Sequence, residues 1–397
     1  MSLRNSRSVA VALVTFATFT DIVAYSVAVP VLPDLSRRLG ASPTMIGLLF
    51  ASFGVTLLTV SMPMGAVSDR VGRKAPLAGG MMMLAAATIL FAFAESLPWL
   101  FAARLVQGAA DAVTWVVGFA LVADLYGQDE RGRVMGLVMS GTNFAFMFGP
   151  TIGGWLYEAG GIRMPFLFVA ALAVLGAVAF IWLDIPQHRA PTEAVPIRLV
   201  LRVPAVAACA AAVVAAAATI SMLEPVLPLF LSAKLGIGPA RIGLVFGIGA
   251  VMSTILHPLY GRLVDRVGGR RLTMIGLVLV ACALPLLSLT WSYPSAIAFY
   301  VLGGSTVALV ITPSLAYMAE ATSAAGVGSF GVGYGLYNMA WGAGVLGGPA
   351  LGGFLFERMG FRSLMLAWAP ALIIVALLLA RVQSDVRLKP DTTGNQG

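Results

Sequence analysis

The chain has 397 residues, of which 59% are hydrophobic and 11% are charged, and its formal net charge is +8. Soluble domains carry roughly a quarter charged residues, so the composition excludes a soluble protein and indicates an integral membrane protein. The Lys and Arg residues separate apolar runs and form no basic face, and there are only 2 His and 2 Cys. These features argue against a nucleic-acid-binding protein, a metal site, a bound cofactor and a disulfide framework.

Twelve apolar segments follow one another along the chain, each close to the roughly 20 residues that a membrane helix needs. The first is longer than a signal-peptide core and is expected to remain as a span. The uncharged stretch 272–319 is too long for one helix, and "WSYP" at 291–294 predicts a turn within it. The predicted fold is therefore an all-α membrane protein with spans at 9–33, 43–65, 75–94, 97–123, 134–157, 164–183, 204–232, 242–261, 272–290, 295–319, 329–356 and 363–380.

An even number of spans places both termini on the same side of the membrane. With the N-terminus in the cytoplasm, seventeen Lys and Arg residues fall on the cytoplasmic side, seven fall on the opposite side, and Arg104 falls within a span. Cytoplasmic loops carry an excess of Lys and Arg. We therefore expect a multi-pass protein of the cell (inner) membrane, surrounded by the lipid bilayer, with both termini cytoplasmic.

The chain repeats itself with offsets of 195 to 199 residues. The segment "VPVLPDL" (29–35) returns as "EPVLPLF" (224–230), "GAVSDRVGRK" (65–74) as "GRLVDRVGGR" (261–270), and "GPTIGG" (149–154) as "GPALGG" (348–353). Two parallel six-helix halves with a site between them at mid-membrane are typical of secondary transporters. The predicted units are an N-terminal half at 1–185, a cytoplasmic linker at 186–203, a C-terminal half at 204–380 and a polar cytoplasmic tail at 381–397.

Several of these segments resemble signatures of the major facilitator superfamily. "GAVSDRVGRK" is similar to its cytoplasmic loop signature after span 2, and "RLVQG" (104–108) to its span 4 motif. Span 11 matches the proton-antiporter signature G-x-x-x-G-P-x-x-G-G from Gly344 to Gly353, and span 5 matches it with Ala145 at the first position. The resemblance covers nearly the whole chain and implies the twelve-helix fold of that superfamily.

Two further segments resemble the vesicular amine transporters and related bacterial drug:proton antiporters. They are "LEPVLPLF" in span 7 and "TDIVAYSVAVPVLP" in span 1, which contains Asp21. Those transporters usually carry another acid in span 10 and a lysine in span 2. This chain has no acid in span 10 (295–319) and no lysine in span 2 (43–65).

Four ionisable residues lie well inside predicted spans: Asp21, Arg104, Asp111 and Glu224. Each costs about 2.5–3.5 kcal/mol to insert, which makes each a candidate for proton coupling; an ion pair that only orders the bundle is the alternative. Arg104, Gln107 and Asp111 share one face of span 4, with Arg104 and Asp111 about 10 Å apart along it. Arg104 is expected to face another helix, with Asp21 as a candidate partner. Three acids against one base leave negative charge for protons or a cationic substrate.

Glu224 is the only charged residue in the apolar run 203–233. The repeat places it at a depth about 12 Å from that of Asp21, so the two acids are not expected to share one proton. Pro225 and Pro228 remove backbone donors and predict an irregular helix beside protein or a watered cavity. The hypothesis for Glu224 is that its carboxyl group exchanges a proton for a substrate cation.

The predicted substrate-binding residues combine these groups with polar and aromatic side chains. A stripe on span 11 would present ring faces to a lipophilic or cationic ligand, although helix packing explains the same stripe equally well. The complete predicted set is Asp21, Tyr25, Gln107, Asn143, Glu224, Tyr334, Tyr337, Asn338 and Trp341.

The superfamily resemblance also implies a gate at the cytoplasmic loops. Asp69 would meet the N-terminus of a neighbouring helix, and Arg73 and Asp124 would complete a charge network that holds the cytoplasmic side shut; loop charges that serve topology alone are the alternative. Pro150 and Pro349 are expected to bend spans 5 and 11 and to permit tight packing. The residues predicted for gating are Gly65, Asp69, Arg70, Gly72, Arg73, Asp124, Gly149, Pro150, Asp265, Arg266, Gly348 and Pro349.

The leading functional hypothesis is a proton-coupled antiporter that exports small lipophilic, cationic compounds by alternating access, as in multidrug efflux. An uptake permease for a neutral solute such as a sugar is the alternative. A membrane-embedded enzyme would need a nucleophile–base set, and a receptor would normally add a soluble domain. The chain lacks the pattern G-x-x-x-x-G-K-S/T, so ATP is not expected to drive transport. The protein is predicted to be a monomer.

Overall fold

The computed structural model describes residues 3–182, 203–324 and 330–382, and this part of the chain is helical, with short turns and no strand. The predicted linker lies outside the described residues except for Val203, and so does the predicted tail from residue 383 onward.

The N-terminal half contains six membrane-length helices, spans 1 to 6. Span 1 is interrupted by a short 3-10 turn, where Pro30 and Pro33 supply no backbone N–H. The bounds are Leu3–Ser26, Val29–Val31 and Leu32–Leu39 for span 1, then Pro43–Val71, Lys74–Phe93, Leu97–Leu125, Gln128–Gly160 and Arg163–Trp182 for spans 2 to 6.

The C-terminal half contains spans 7 to 12. Spans 7 and 8 are Pro204–Leu235 and Pro239–Val267; span 9 is Gly269–Ala283 with the 3-10 helix Leu284–Leu289, and span 10 is Tyr293–Ala324. Spans 11 and 12 lie within Phe330–Arg381 and are separated at Gly360, whose φ is 76°. The break between spans 9 and 10 is at 290–292, so it overlaps the first half of the turn predicted at 291–294. The predicted all-α, twelve-helix membrane fold is confirmed.

Ten stretches of described helix are long and apolar enough to cross a membrane. One of them, Gly335–Arg381, covers spans 11 and 12 together, and Gln128–Gly160, which is span 5, is not among them. Span 5 is nevertheless a continuous helix that packs against spans 1 and 8, so it belongs to the same bundle.

The two halves repeat each other at the level of the backbone. Gly40 ends span 1 with φ 61° and Gly236 ends span 7 with φ 64°, at positions 196 residues apart. Gly72 and Gly268, in the repeated loop motif, have φ 87° and 90°. Side chains other than hydrogen are disfavoured at such angles, so glycine at these four places is required by the turns.

The halves meet through spans 2 and 11 and through spans 5 and 8. Gly47 lies against the carbonyl of Pro349, and Gly243 lies against the carbonyl of Pro150, so that a Cβ at either glycine would collide with backbone. Small residues allow helices in a membrane to approach this closely. These contacts lie toward the turns at 40–42, 161–162, 236–238 and 360, which form the predicted outer face.

The same helices separate toward the predicted cytoplasmic face, which carries the turns at 72–73, 126–127 and 268. A Cβ added at Gly136, Gly261 or Gly335 would meet no atom within 4 Å. The close contacts between the halves at glycines therefore lie toward the predicted outer face, where the structure is closed, and these three glycines nearer the predicted cytoplasmic face border open space.

Candidate functional site

A hydrogen bond between the two halves lies at the centre of the candidate site. The hydroxyl of Tyr25, on span 1, donates to Oε2 of Glu224, on span 7. Both side chains are buried, and Glu224 is 8% exposed. The contact joins residues 199 positions apart and connects the halves at a carboxyl group that is almost enclosed by protein.

Span 7 keeps a regular helix around Glu224. The sequence predicts an irregular segment there, but Pro204–Leu235 is one uninterrupted helix with Pro225 and Pro228 in its interior, so this prediction is wrong. Proline lacks an N–H, and Pro228 therefore leaves the carbonyl of Glu224 without its intrahelical donor. A free acceptor thus lies on the same residue as the buried carboxyl group, without unwinding of the helix.

Arg104 does not pair with Asp21, contrary to the partner suggested by the sequence. Its Nη1 donates to Oε1 of Gln107 at 2.9 Å and to the backbone carbonyl of Tyr25 at 3.5 Å. The guanidinium lies 4.3 Å from the ring centre of Phe50 and 5.2 Å from that of Tyr25. Ring faces attract a cation that is removed from water, so Arg104 is held against span 1 and supports the backbone of Tyr25.

Asp21 instead adjoins Asp111 of span 4, with the indole of Trp115 beside them. Asp21 is 1% exposed and Asp111 is 5% exposed. Neither oxygen of Asp21 makes a hydrogen bond, and the indole N–H of Trp115 is likewise without a partner. Two acids with no cation between them occupy a buried position inside the N-terminal half, separate from the contact between Tyr25 and Glu224.

Tyr300 of span 10 is a residue of the site that the sequence analysis does not select. Its phenol is close enough to Glu224 for an electrostatic interaction. Its ring lies 4.9 Å from that of Phe246 on span 8. Tyr25 and Tyr300 therefore bring one aromatic ring from each half toward the same carboxyl group.

The aromatic stripe predicted on span 11 is only partly available to a ligand. Tyr337 is buried and donates to the carbonyl of Ile311 on span 10 at 3.4 Å, so its hydroxyl is used inside the C-terminal half. Trp341 is partly buried among apolar residues, and Asn338 is exposed. The side chain of Tyr334 lies outside the described part of the structure, and Asn143 is exposed on span 5.

The predicted loop network is assembled within the N-terminal half. Arg73 donates from Nε to Asp124 at 2.8 Å and from Nη1 to Ser68 at 2.5 Å, and it forms an ion pair with Asp69 at 2.7 Å. Burial alone would lower the pKa of Arg73, but the carboxylates of Asp124 and Asp69 outweigh burial and raise this pKa above its ordinary value. The ion pair that the structure shows for Asp69 is with Arg73, and its expected contact with the N-terminus of a neighbouring helix stays a prediction.

The second copy of the loop motif makes different contacts. Asp265 and Arg266 are exposed, and neither takes part in the ion pairs found within the described ranges. Arg270 donates to the carbonyls of Leu379 and Ala380 at 3.0 Å each. It therefore satisfies backbone acceptors at the end of span 12, which have no intrahelical donor.

The repeated Gly-Pro segments lie where the halves touch on the predicted outer face. Gly149 packs against Ser26 of span 1, and Gly348 packs against Ser221 of span 7. The prolines that follow them present their carbonyls to spans 8 and 2, respectively. Two further gating candidates make no close contact with neighbouring backbone. A Cβ added at Gly65 would only reach ordinary van der Waals distance from Val116, and Arg70 is exposed.

Sequence reasoning also misses two glutamates that join the halves, Glu158 and Glu357. They follow the repeated Gly-Pro segments at an offset of 199 residues, so extending the repeat past 154 and 353 would have identified them. No cluster of three or more His, Cys, Asp or Glu residues that could hold a metal occurs in the described ranges.

Comparison with known proteins places these features in context. A family model described as "Major Facilitator Superfamily" matches residues 14–222 and 209–396. The human chromaffin granule amine transporter is 28% identical over 344 residues, which cover 86% of this chain and 66% of that protein. The human synaptic vesicular amine transporter is 27% identical over 336 residues, covering 84% and 65%. The aligned part thus spans about two thirds of the length of these relatives.

Solved structures share the fold at low sequence identity. A bacterial homologue of the human lysosomal transporter Spinster, in an inward-facing and unoccupied conformation, has a TM-score of 0.80 and 16% identity, covering 94% of this chain and 96% of that one. A mutant of the nucleoside transporter NupG has a TM-score of 0.79 and 14% identity, covering 94% and 99%.

Proposed function

The chain belongs to the major facilitator superfamily, and from this we propose that it is a proton-coupled antiporter that exports small lipophilic, cationic compounds. The sequence similarity to vesicular amine transporters supports a small organic cation as substrate. Alternating access would expose a central site first to one face of the membrane and then to the other. The proposed location is the cell (inner) membrane, with both termini in the cytoplasm.

The hydrogen bond from Tyr25 to Glu224 is the observation that carries this proposal. A buried carboxyl group that is stabilised by one phenol can hold a proton, or it can lose the proton and attract a cation. Because its donor belongs to the other half, the charge on Glu224 is coupled to the relative position of the halves. Exchange of a proton for a substrate cation at this carboxyl would therefore change the preferred conformation.

Asp21 and Asp111 supply a second proton-binding position. Two adjoining buried carboxylates repel each other and cannot both be ionised without a cation between them. We assign one shared proton to this pair. Its separation from Glu224 allows one acid site to bind the substrate cation while the other retains a proton.

The charge balance of the interior favours a cation over an anion. Among the described residues, the charged side chains that are buried are the acids Asp21, Asp111 and Glu224 and the base Arg104, whose charge is already met by aromatic rings. The rings of Tyr25 and Tyr300 near Glu224 would add attraction for an ammonium group. An uncharged sugar would gain little from this arrangement.

The loop network is proposed to act as the gate. Arg73 and Asp124 are each 10% exposed at their side chains, whereas Asp69 is 43% exposed. Asp69 is paired with Arg73 but exposed enough to meet the N-terminus of a neighbouring helix when the cytoplasmic side closes. The repeated prolines Pro150 and Pro349 would form the corresponding contacts on the outer face.

Transport in proteoliposomes with an imposed pH gradient tests the proposal. Uphill movement of a radiolabelled lipophilic cation should require the gradient, stop when a protonophore is added, and proceed without ATP or sodium. Glu224→Gln fixes a neutral side chain and should abolish proton-driven transport, as should Asp21→Asn, while both variants fold and insert because a buried charge has been removed.

Glu95→Gln is the matched control, because Glu95 is an exposed residue in the turn between spans 3 and 4. It should transport at the wild-type rate. Uphill transport by Glu224→Gln and Asp21→Asn at the rate of Glu95→Gln would reduce both acids to structural roles and contradict the antiporter mechanism.

A further inference from the structure

Two glutamates on the predicted outer face each connect one half of the protein to the other. Oε1 of Glu158, at the end of span 5, accepts the backbone N–H of Ala240 in span 8 at 3.2 Å. Oε2 of Glu357, at the end of span 11, accepts the backbone N–H of Thr44 in span 2 at 2.9 Å. These two contacts are called the outer latches below.

The outer latches occupy equivalent positions in the internal repeat. The glutamates are 199 residues apart and the N–H groups that they accept are 196 residues apart, which are the offsets of the repeated motifs around them. Thr44 and Ala240 both follow a proline that begins its helix. The same bond is thus made twice, once in each direction across the interface.

Each latch meets a helix end that favours an anion. The first N–H groups of a helix have no intrahelical acceptor, and the positive end of the helix dipole lies there. Span 2 uses its own Ser42 to accept the N–H of Met45 at 3.4 Å, which leaves the N–H of Thr44 for Glu357. Both glutamates therefore complete the N-terminal cap of a helix that belongs to the opposite half.

Span 8 depends more on its latch than span 2 does, because it has no N-terminal side-chain cap of its own. Its N-cap is Gly238, which has no side chain to offer. A Cβ at this glycine would lie 3.3 Å from Oε1 of Glu158, so glycine also leaves room for the carboxylate. The cap that the sequence of span 8 lacks is supplied across the interface by span 5.

These bonds depend on the conformation of the whole protein. Each runs beside a close contact between the halves, Pro150 with Gly243 and Pro349 with Gly47. Both glutamates are exposed, and opening of the outer face would separate each carboxylate from the backbone N–H group that it accepts. We propose that Glu158 and Glu357 are functional residues of the transport cycle that stabilise the outer-closed state by capping helices of the opposite half.

This inference uses only the alternating-access part of the proposed function and does not depend on which acids carry protons. It can therefore be tested without substrate or a proton gradient. Spin labels at Glu95→Cys and Ser363→Cys, exposed positions on the outer face of the two halves, report the opening of that face by double electron–electron resonance in a background without Cys209 and Cys282.

In this background, Glu158→Ala and Glu357→Ala should each raise the ratio of outer-open to outer-closed protein by at least about twofold, which is the scale of a carboxylate at a helix N-terminus. The effects of the two variants should multiply when they are combined, since the latches share no partner. Glu130→Ala is the matched control, because Glu130 is an exposed glutamate at the opposite end of span 5.

Each variant is first shown to be folded by its helical circular dichroism and its size-exclusion profile. If an alanine variant does not fold, the corresponding glutamine variant keeps the size and removes the charge, and it should shift the ratio in the same direction. If the folded variants give the same distance distributions as Glu130→Ala, the outer latches do not stabilise the outer-closed state. That result would leave the proposed proton coupling unaffected. Shifted distance distributions in the latch variants, in a protein that shows no proton-driven transport, would support the latches and contradict the proposed proton coupling.

Discussion

Replacing Tyr25 by phenylalanine removes one hydroxyl group from the contact between the halves and leaves the rest of that region in place. The ring packs 4.8 Å from Phe53 and 5.7 Å from Phe50, and these contacts do not involve the hydroxyl. Arg104 bonds to the backbone carbonyl of Tyr25, which the substitution retains. Tyr25→Phe therefore tests the bond to Glu224 without disturbing the packing of span 1.

The size of the expected effect follows from the nature of this bond. A hydrogen bond to a charged group contributes about 1.5–3 kcal/mol, and about 1.4 kcal/mol corresponds to a factor of ten in rate. If transport passes through a state in which ionised Glu224 accepts from Tyr25, Tyr25→Phe should slow proton-driven exchange about tenfold to a hundredfold. Thermal stability should change far less, since the neutral form of Glu224 remains accessible in the resting protein.

Exchange is measured in proteoliposomes as the initial rate of uptake of a labelled cation under a fixed pH gradient, normalised to the amount of inserted protein. Tyr157→Phe is the matched control: its hydroxyl also donates to a carboxylate, that of Asp34, but both residues belong to the N-terminal half. Tyr157→Phe should transport at close to the wild-type rate. Equal rates for the two variants would refute the role given to the bond between Tyr25 and Glu224.

Three further predictions concern the proton pair and the loop motif. Asp111→Asn removes the repulsion that enforces a shared proton, so the dependence of transport rate on pH should change; a profile identical to that of the wild type would contradict the pairing with Asp21. Asp69→Asn should lower turnover by no more than about fivefold, because exposed ion pairs contribute about 0.2–1 kcal/mol, and substrate affinity measured by binding should stay constant. Gly72→Ala forces a side chain into backbone angles that cost about 1–3 kcal/mol, so its denaturation midpoint in detergent should fall, whereas Gly79→Ala, inside a helix with no atom within 4 Å of the new Cβ, should not lower it.

The number of helices, their order and the internal repeat follow from the sequence alone. Hydropathy is a local property, since a membrane helix must be apolar over about 20 consecutive residues whatever it packs against. The repeated motifs likewise specify turns that only glycine tolerates, as at Gly72 and Gly268. For these features the physical cause lies within a few neighbouring residues, and the sequence was sufficient.

The sequence predicted the contacts of the first copy of the loop motif but not those of the second copy. The sequence selected Arg73, Asp69 and Asp124, and the structure brings all three together because the turn at Gly72 places Arg73 beside the end of span 2 and Asp124 lies near the end of span 4. The second copy looks similar in sequence, yet Arg270 caps span 12 and the one acid of the copy, Asp265, stays exposed. Which role a repeated residue takes depends on the helix placed next to it.

The partners of the buried charged groups were decided by tertiary structure. A hydropathy pattern gives the depth of a residue along its own helix but not the rotation of that helix against its neighbours. Arg104 therefore faces aromatic rings and the carbonyl of Tyr25, and Asp21 faces Asp111, although the sequence offered Asp21 as a candidate partner of Arg104. Turning a helix about its axis by one residue position, which is about 100°, is enough to exchange such partners.

The contacts between the halves were decided in the same way. Tyr25 and Glu224 are 199 residues apart, and each outer latch joins a side chain to a backbone N–H that carries no signature in the sequence. A bond of this kind exists only when the two six-helix halves are packed in one particular orientation. The sequence determined the two units and their candidate acids, and the docking of the units decided which of those acids meet a partner across the interface.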